Sequence, residues 1–150
     1  MEKQIYKEVG VLEGYIHKVN YYETDKMGIT HHSNYIRWME EARVDFLEKI
    51  GWGFDYLEEQ GIMSPVIGID CEYKSNTKFT DEVLIKVNIR EFNGVKLVIE
   101  YEMINTKTNK TALVGTSKHC FINEKGMPIR LKNELPEFDK KLRELAIEEK

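Results

Sequence analysis

One long stretch of the chain has an amphipathic helical pattern with a wide apolar face. The pattern predicts a helix from Ser33 to Ile50, ended by Gly51, where a positive φ is inexpensive. At about 100° per residue, the apolar side chains cover a broad arc: Tyr35, Ile36, Trp38, Met39, Ala42, Phe46, Leu47 and Ile50. A helix with so wide an arc must be surrounded by other structure, because a helix on a flat surface needs only a narrow stripe.

The remaining apolar residues mostly alternate with polar ones, which is typical of half-buried strands. One strand is predicted before the helix, from Gly14 to Tyr22, and about four follow it, near 65–73, 83–89, 95–103 and 112–123. Asn93-Gly94 predicts a two-residue type I′ hairpin turn. Short and terminal helices are predicted at Phe54 to Gln60 and Pro136 to Glu149. This order predicts an α+β fold in which a curved antiparallel sheet wraps around the long helix.

Length and charge exclude several classes of function. The 150 residues fit one domain, and the net charge of −4 argues against a nucleic-acid-binding protein, which usually has a basic face. No stretch approaches the roughly 20 apolar residues of a membrane span. Met1 to Gly10 lacks the apolar run of a signal peptide. These features predict a cytoplasmic protein with no membrane span.

Four common catalytic patterns are absent from the sequence. It contains no G-x-x-x-x-G-K-S/T, G-x-G-x-x-G, G-x-S-x-G or H-E-x-x-H. His31 and His32 are adjacent and have no third ligand at a suitable spacing, so we expect no metal and no cofactor. Either histidine could instead bond a substrate carbonyl, orient a nearby carboxylate or cap the helix at the surface.

Asp25 is the main candidate for chemistry. It ends a strand-like run, Gly28 follows at a predicted turn, and the long helix begins a few residues later. A carboxylate beside the electropositive start of a helix suits a reaction that builds negative charge on oxygen. The alternative is an aspartate that only bonds the amides of its own turn. The residues themselves leave both interpretations open.

Arg43 is unusual because it falls within the apolar arc of the helix, between Met39 and Leu47. A cation is costly there unless it is paired. Glu40, three residues earlier, is on a neighbouring part of the helix surface. We therefore predict a structural ion pair between Arg43 and Glu40, with a ligand contact as the alternative.

The segment around Asp25 resembles the 4-hydroxybenzoyl-CoA thioesterase family. The motif that carries the resemblance is Tyr22-x-x-Asp25-x-x-Gly28-Ile29-x-x-His32-x-Asn34-Tyr35, continued by Trp38, Glu41, Ala42, Arg43 and Gly51. The resemblance implies the hot-dog fold, an acyl-CoA substrate and assembly as a homodimer or homotetramer. It also implies a single hot-dog thioesterase domain over 1–150, with a core near 12–130 and a terminal helix near 136–149.

The resemblance assigns roles to particular residues. Asp25 matches the catalytic carboxylate, which acts as a nucleophile or as a general base for water. His32 matches the residue at the helix start whose backbone N–H polarises the thioester carbonyl. Substrate contacts are expected at four further positions of the motif: Tyr22, Gly28, Ile29 and Asn34. The alternative functions are a non-catalytic acyl-CoA-binding protein and a hot-dog hydratase or dehydratase.

Overall fold

The computed structural model describes residues 14–148. The expectations for Met1 to Gly10 and for Glu149 therefore lie outside the described residues. Five antiparallel strands form one sheet in the order β1-β3-β4-β5-β2. The strands are β1 (Tyr15–Lys18), β2 (Val66–Tyr73), β3 (Glu82–Phe92), β4 (Lys96–Asn105) and β5 (Lys110–Cys120).

Four α-helices accompany this sheet within residues 14–148. They are α1 (Ser33–Lys49), α2 (Phe54–Glu59), α3 (Leu131–Glu134) and α4 (Pro136–Glu148). Helix α1 packs against the inner face of the sheet, and its side chains Trp38, Met39 and Ala42 are completely buried. Alternate residues of β3 and β4 bury the same face: Val83, Ile85, Val87, Ile89, Leu97, Ile99, Tyr101 and Met103. The prediction of an antiparallel sheet around one long helix is confirmed.

The first predicted strand is shorter than expected. β1 ends at Lys18, and the chain then forms a 3₁₀ turn over Tyr21–Glu23 instead of continuing the strand to Tyr22. The cause is a capping box, in which the side chain of Glu23 accepts a hydrogen bond from the backbone N–H of Asn20 at 2.8 Å. This turn changes the direction of the chain toward the start of α1.

The Asn93-Gly94 turn is also different from the prediction. The loop between β3 and β4 has three residues, and of this pair only Gly94 has a positive φ, 95°. The side chain of Asn93 accepts hydrogen bonds from the backbone N–H groups of Val95 and Lys96, at 2.9 and 2.7 Å. These bonds close the turn without the second positive φ that a type I′ turn requires.

The predicted ion pair between Arg43 and Glu40 is wrong. Arg43 is only 6% exposed, whereas Glu40 lies on the exposed side of the helix. Arg43 Nη1 instead donates to the hydroxyl of Tyr101 at 3.0 Å. The chain of contacts continues through Ser117 to His119 Nε2, at 2.6 and 2.7 Å. Within residues 14–148, Arg43 forms no ion pair and its Nε has no hydrogen-bond partner.

The buried series of hydrogen bonds that ends at His119 predicts how the stability of the protein depends on pH. Burial, reinforced by the positive charge of Arg43, lowers the pKa of His119 to about 4. In the unfolded chain a histidine has a pKa of about 6.5, so between these two pKa values the unfolded state binds more protons than the folded state. We expect the free energy of unfolding to fall as the pH drops through this window, by about 3 kcal/mol.

Denaturant unfolding at a series of pH values measures this loss, and an NMR titration of the His119 ring gives its pKa directly. His119→Gln is the matched control, because glutamine keeps a hydrogen-bonding atom near Ser117 but does not titrate. Its pH dependence should be flatter over the same range. A His119 midpoint at the ordinary histidine value would contradict the prediction.

Candidate active site

Asp25 lies in a tight loop between the 3₁₀ turn and α1. The backbone N–H of Asp25 donates to the carbonyl of Ile29, and the N–H of Gly28 donates to the carbonyl of Asp25, both at 2.9 Å. Thr24 and Thr30 pair across the base of the loop. Gly28 has φ of 80° and open space where a Cβ would be. Glycine is therefore required by the backbone conformation, and the loop remains open at this point.

The carboxylate of Asp25 is oriented by its own turn. Its Oδ1 accepts the backbone N–H of Met27 at 2.8 Å, and the side chain is half-buried. This is the local bond expected of a turn aspartate. An ionised carboxylate has about four acceptor sites, and within the described part of the chain Oδ2 accepts no hydrogen bond. The side chain is thus held in place with one oxygen still available.

The start of α1 supplies an unused donor. The N–H of Asn34 bonds to the carbonyl of His31 at 3.0 Å, and the N–H of Tyr35 bonds to the carbonyl of His32 at 3.3 Å. The N–H of His32 has no acceptor among residues 14–148. Because α1 runs for 17 residues, its N-terminal end is electropositive and favours an oxygen that carries negative charge.

The two histidine rings lie at the surface in different surroundings. The Nδ1 of His31 lies 2.9 Å from the hydroxyl of Ser33 and accepts the backbone N–H of Ser33 at 3.3 Å. The ring of His32 is stacked near that of His31, with centroids 4.3 Å apart, and meets Tyr73 edge-on at 6.3 Å. The imidazole of His32 is therefore exposed beside β2. The residue thus presents this ring and, separately, the unbonded backbone N–H described above.

The four residues predicted to contact the substrate lie in different surroundings from one another. Gly28 and Ile29 lie in the loop with Asp25. The amide of Asn34 donates to the carbonyls of Glu23 and His31, at 2.9 and 3.2 Å, so it joins the loop to the helix within the chain. Tyr22 is 83% exposed and makes no hydrogen bond or ring contact with a described residue.

A buried carboxylate beneath the loop was not predicted. Glu23 is 4% exposed, and its Oε2 accepts the indole N–H of Trp38 at 2.7 Å. Its Oε1 lies 2.9 Å from His17 Nε2, and the other ring nitrogen of His17 lies 2.9 Å from Glu41 Oε1. Tyr15 donates to the same oxygen of Glu41 at 2.8 Å. The network thus connects β1, the 3₁₀ turn and α1.

Burial alone would raise the pKa of Glu23, but the hydrogen bonds donated to its side chain outweigh this effect and lower the pKa. The sequence did contain a signal for one member of the network. Tyr15, His17 and Val19 share one face of the first strand because side chains alternate. A histidine among inward-facing residues indicates a buried polar partner.

The end of the Asp25 loop is hydrogen-bonded, through Thr30, to the segment before β3. The N–H of Thr30 donates to the carbonyl of Thr77 at 2.9 Å, and the two hydroxyls lie 2.6 Å apart. The hydroxyl of Tyr35 lies 3.0 Å from that of Thr77, which is completely buried. The loop that carries Asp25 is therefore held on both sides.

Two further properties concern other classes of site. Among residues 14–148, no group of three or more His, Cys, Asp or Glu side chains is arranged to hold a metal ion. In the same part of the chain, no helix has both the length and the apolar character needed to cross a bilayer.

Comparisons with known proteins agree with this architecture. The sequence profile of the thioesterase-like superfamily matches residues 19–144. The Bacillus subtilis (strain 168) protein named "Putative acyl-CoA thioesterase YneP" is 32% identical over 122 residues, which cover 81% of this chain and 88% of that protein. The solved DHNA-CoA thioesterase of Staphylococcus aureus is 32% identical, with a TM-score of 0.85, over 92% of this chain and 95% of that one.

A solved gentisyl-coenzyme A thioesterase is 29% identical, with a TM-score of 0.69, over 77% of this chain and 91% of that one. The three pairwise similarities span most of both chains in each pair. The profile match, over residues 19–144, includes the Asp25 loop and α1. The chain therefore belongs to the thioesterase-like superfamily and has its hot-dog fold.

Proposed function

We propose that this protein hydrolyses acyl-CoA thioesters to a free acid and CoA, as a member of the 4-hydroxybenzoyl-CoA thioesterase family. The observation that carries the proposal is that one loop leads from an oriented carboxylate, Asp25, to the unused N–H of His32 at the start of α1. The names of the similar proteins support a CoA thioester as the substrate.

In the proposed reaction the thioester carbonyl oxygen accepts a hydrogen bond from the His32 N–H. Negative charge develops on this oxygen as the carbonyl carbon is attacked, and the helix start stabilises it. A donor of this kind contributes about 3 kcal/mol to transition-state stabilisation. Asn34 holds the helix start against the loop, so the donor is already in position before the substrate binds.

Asp25 supplies the attacking oxygen in one of two ways. As a nucleophile it forms a bond to the acyl carbon while the carbon–sulfur bond breaks, and water then hydrolyses the resulting anhydride. As a general base it takes a proton from water, which attacks directly. In both cases CoA leaves as a thiolate and the acid is released. The open space beside Gly28 supports access of the acyl group to this side of the loop.

A panel of CoA esters tests this function. Purified protein is mixed with aliphatic acyl-CoAs of graded length and with aromatic acyl-CoAs, and thiol release is followed with a thiol-trapping dye. We expect turnover with at least one class of ester. Binding of the esters without thiol release would overturn the proposal in favour of an acyl-CoA-binding protein. An enoyl-CoA is added to the panel, and loss of its enoyl absorbance without thiol release would indicate a hydratase.

We also propose that the protein is a homodimer, or a tetramer built from dimers. β2 is an edge strand of the sheet, and three of its apolar side chains are about half-exposed: Val66, Ile67 and Tyr73. An apolar edge of this kind favours pairing with another chain. A single hot-dog domain over 1–150, a cytoplasmic location and the absence of a cofactor and of a nucleic-acid partner remain predictions.

Light scattering with size-exclusion chromatography tests the assembly. Ile67 is 52% exposed on β2, and we expect Ile67→Lys to weaken association at least about tenfold, because a charge at the interface must be desolvated. Ile16→Lys is the control, since Ile16 is exposed on β1 at the opposite edge. A wild-type monomer, or equal effects of the two substitutions, would contradict an interface along β2.

A further inference from the structure

Glu23 contacts both parts of the candidate site, the Asp25 loop and the start of α1. Its side chain is buried beneath α1, where it accepts the indole N–H of Trp38. Its backbone carbonyl accepts the N–H of His31 at 2.8 Å and the side-chain amide of Asn34 at 2.9 Å. Asp25 follows two residues later in the sequence. One residue therefore connects the base of the Asp25 loop to the first turn of the helix.

The surroundings of this carboxylate are those of a fixed, charged group. A buried carboxylate is unstable unless donors surround it. Glu23 has four of them: the Asn20 backbone N–H, His17 and Trp38 at 2.7 to 2.9 Å, and the side-chain amide of Asn20 at 3.3 Å. The ring of His17 is itself held by Glu41. This arrangement restricts the side chain to one position, which is what a rigid support for a nearby loop requires.

Helix α1 contributes Trp38 from one turn beyond its start, whereas Glu23 comes from the turn before the loop. The bond between them therefore sets how far the loop lies from the helix. Because reacting groups must be placed within a fraction of an ångström, a displacement of about 1 Å lowers a rate by roughly a hundredfold. The separation of Asp25 from the His32 N–H is the distance that matters for the reaction.

We propose that Glu23 is a positioning residue: its side chain, bonded to Trp38, fixes the turn whose backbone carbonyl holds His31 and Asn34, and so keeps Asp25 at the distance from the His32 N–H that hydrolysis requires. This inference rests on the proposed thioesterase function. Glu23 itself does not contact the substrate, since it is buried beneath the loop.

Glu23→Gln is the first test, with Glu40→Gln on the exposed side of α1 as its matched control. Glutamine has the same shape but only one acceptor oxygen, so either Trp38 or His17 faces an NH₂ group. We expect kcat to fall by about 10- to 100-fold while KM changes little, because substrate contacts remain. Glu40→Gln should keep the wild-type kcat.

The second test separates positioning from a general structural role. If Glu23 acts through Asp25, then adding Glu23→Gln to Asp25→Asn should cause no further loss of kcat. A further loss as large as that seen in the wild-type background would overturn the inference, because the effect would then not pass through Asp25. Thermal unfolding of all variants checks that the fold is retained.

Trp38→Phe provides an independent route if Glu23→Gln does not fold. Phenylalanine keeps an aromatic ring in the core but removes the N–H that Glu23 accepts. We expect a similar loss of kcat at similar KM, and a wild-type kcat would overturn the inference. If the wild-type protein releases no thiol from any ester, the proposed function fails as well. If the wild type is active and Glu23→Gln matches Glu40→Gln, only the inference fails.

Discussion

Asp25→Asn is expected to lower kcat for acyl-CoA hydrolysis by about a thousandfold or more. Asparagine keeps an oxygen that can accept the Met27 N–H, so the turn is retained. The amide can neither attack a carbonyl carbon nor take a proton from water. The loss therefore falls on the chemical step, and KM should change much less than kcat.

Steady-state kinetics on the best ester of the panel measures this effect. Asp55→Asn is a suitable control, because Asp55 is an exposed aspartate in the first turn of α2 and lies outside the site. We expect it to keep wild-type activity. Substantial turnover by the folded Asp25→Asn variant would show that another group performs the chemistry, and the proposed mechanism would have to be abandoned.

Trp38→Ala is expected to cause the largest loss of stability, about 4 kcal/mol of unfolding free energy. Trp38 is completely buried, with its ring centroid 4.4 Å from that of His17 and 4.8 Å from that of Tyr35. Alanine leaves a cavity in the core. It also removes the indole donor from Glu23, and an unsatisfied buried acceptor adds to the loss.

Trp52→Ala is the matched comparison, because the chain contains only these two tryptophans. Trp52 is half-buried and stacks on Phe138 with centroids 4.9 Å apart, so we expect a loss of about 2 kcal/mol. Denaturant unfolding gives both values, and the remaining tryptophan reports by fluorescence in each variant. Equal losses would contradict a special role for Trp38 in the core.

The regular elements were predictable because each is specified by its own residues. The helical spacing from Tyr35 to Ile50 and Gly51 after it located α1 to within one residue at its end, and Gly51 has φ of 89°. The alternation in 83–89 and 95–103 located β3 and β4. In both cases the pattern that forms the element is the pattern that buries it.

The site was predictable only in part. The order of Asp25, Gly28 and His32 along the chain indicated a carboxylate near a helix start. The supporting contacts could not be derived in this way, since they join distant positions: His17 meets Glu41, and Thr30 meets Thr77, 47 residues later. The predicted partner of Arg43 is Glu40, because sequence spacing reveals only neighbours on the same helix. The observed partner, Tyr101, is 58 residues away.

The connection from Thr30 to Thr77 has a consequence for synthesis of the protein. The segment with Asp25 leaves the ribosome early. Thr77, to which Thr30 bonds, and β3, with which β1 pairs, are made much later. Contacts between residues so far apart in sequence form late, because the intervening chain must first be brought together. A nascent chain that stops before Thr77 therefore contains every proposed catalytic group but lacks both Thr77 and β3, and we expect it to be inactive.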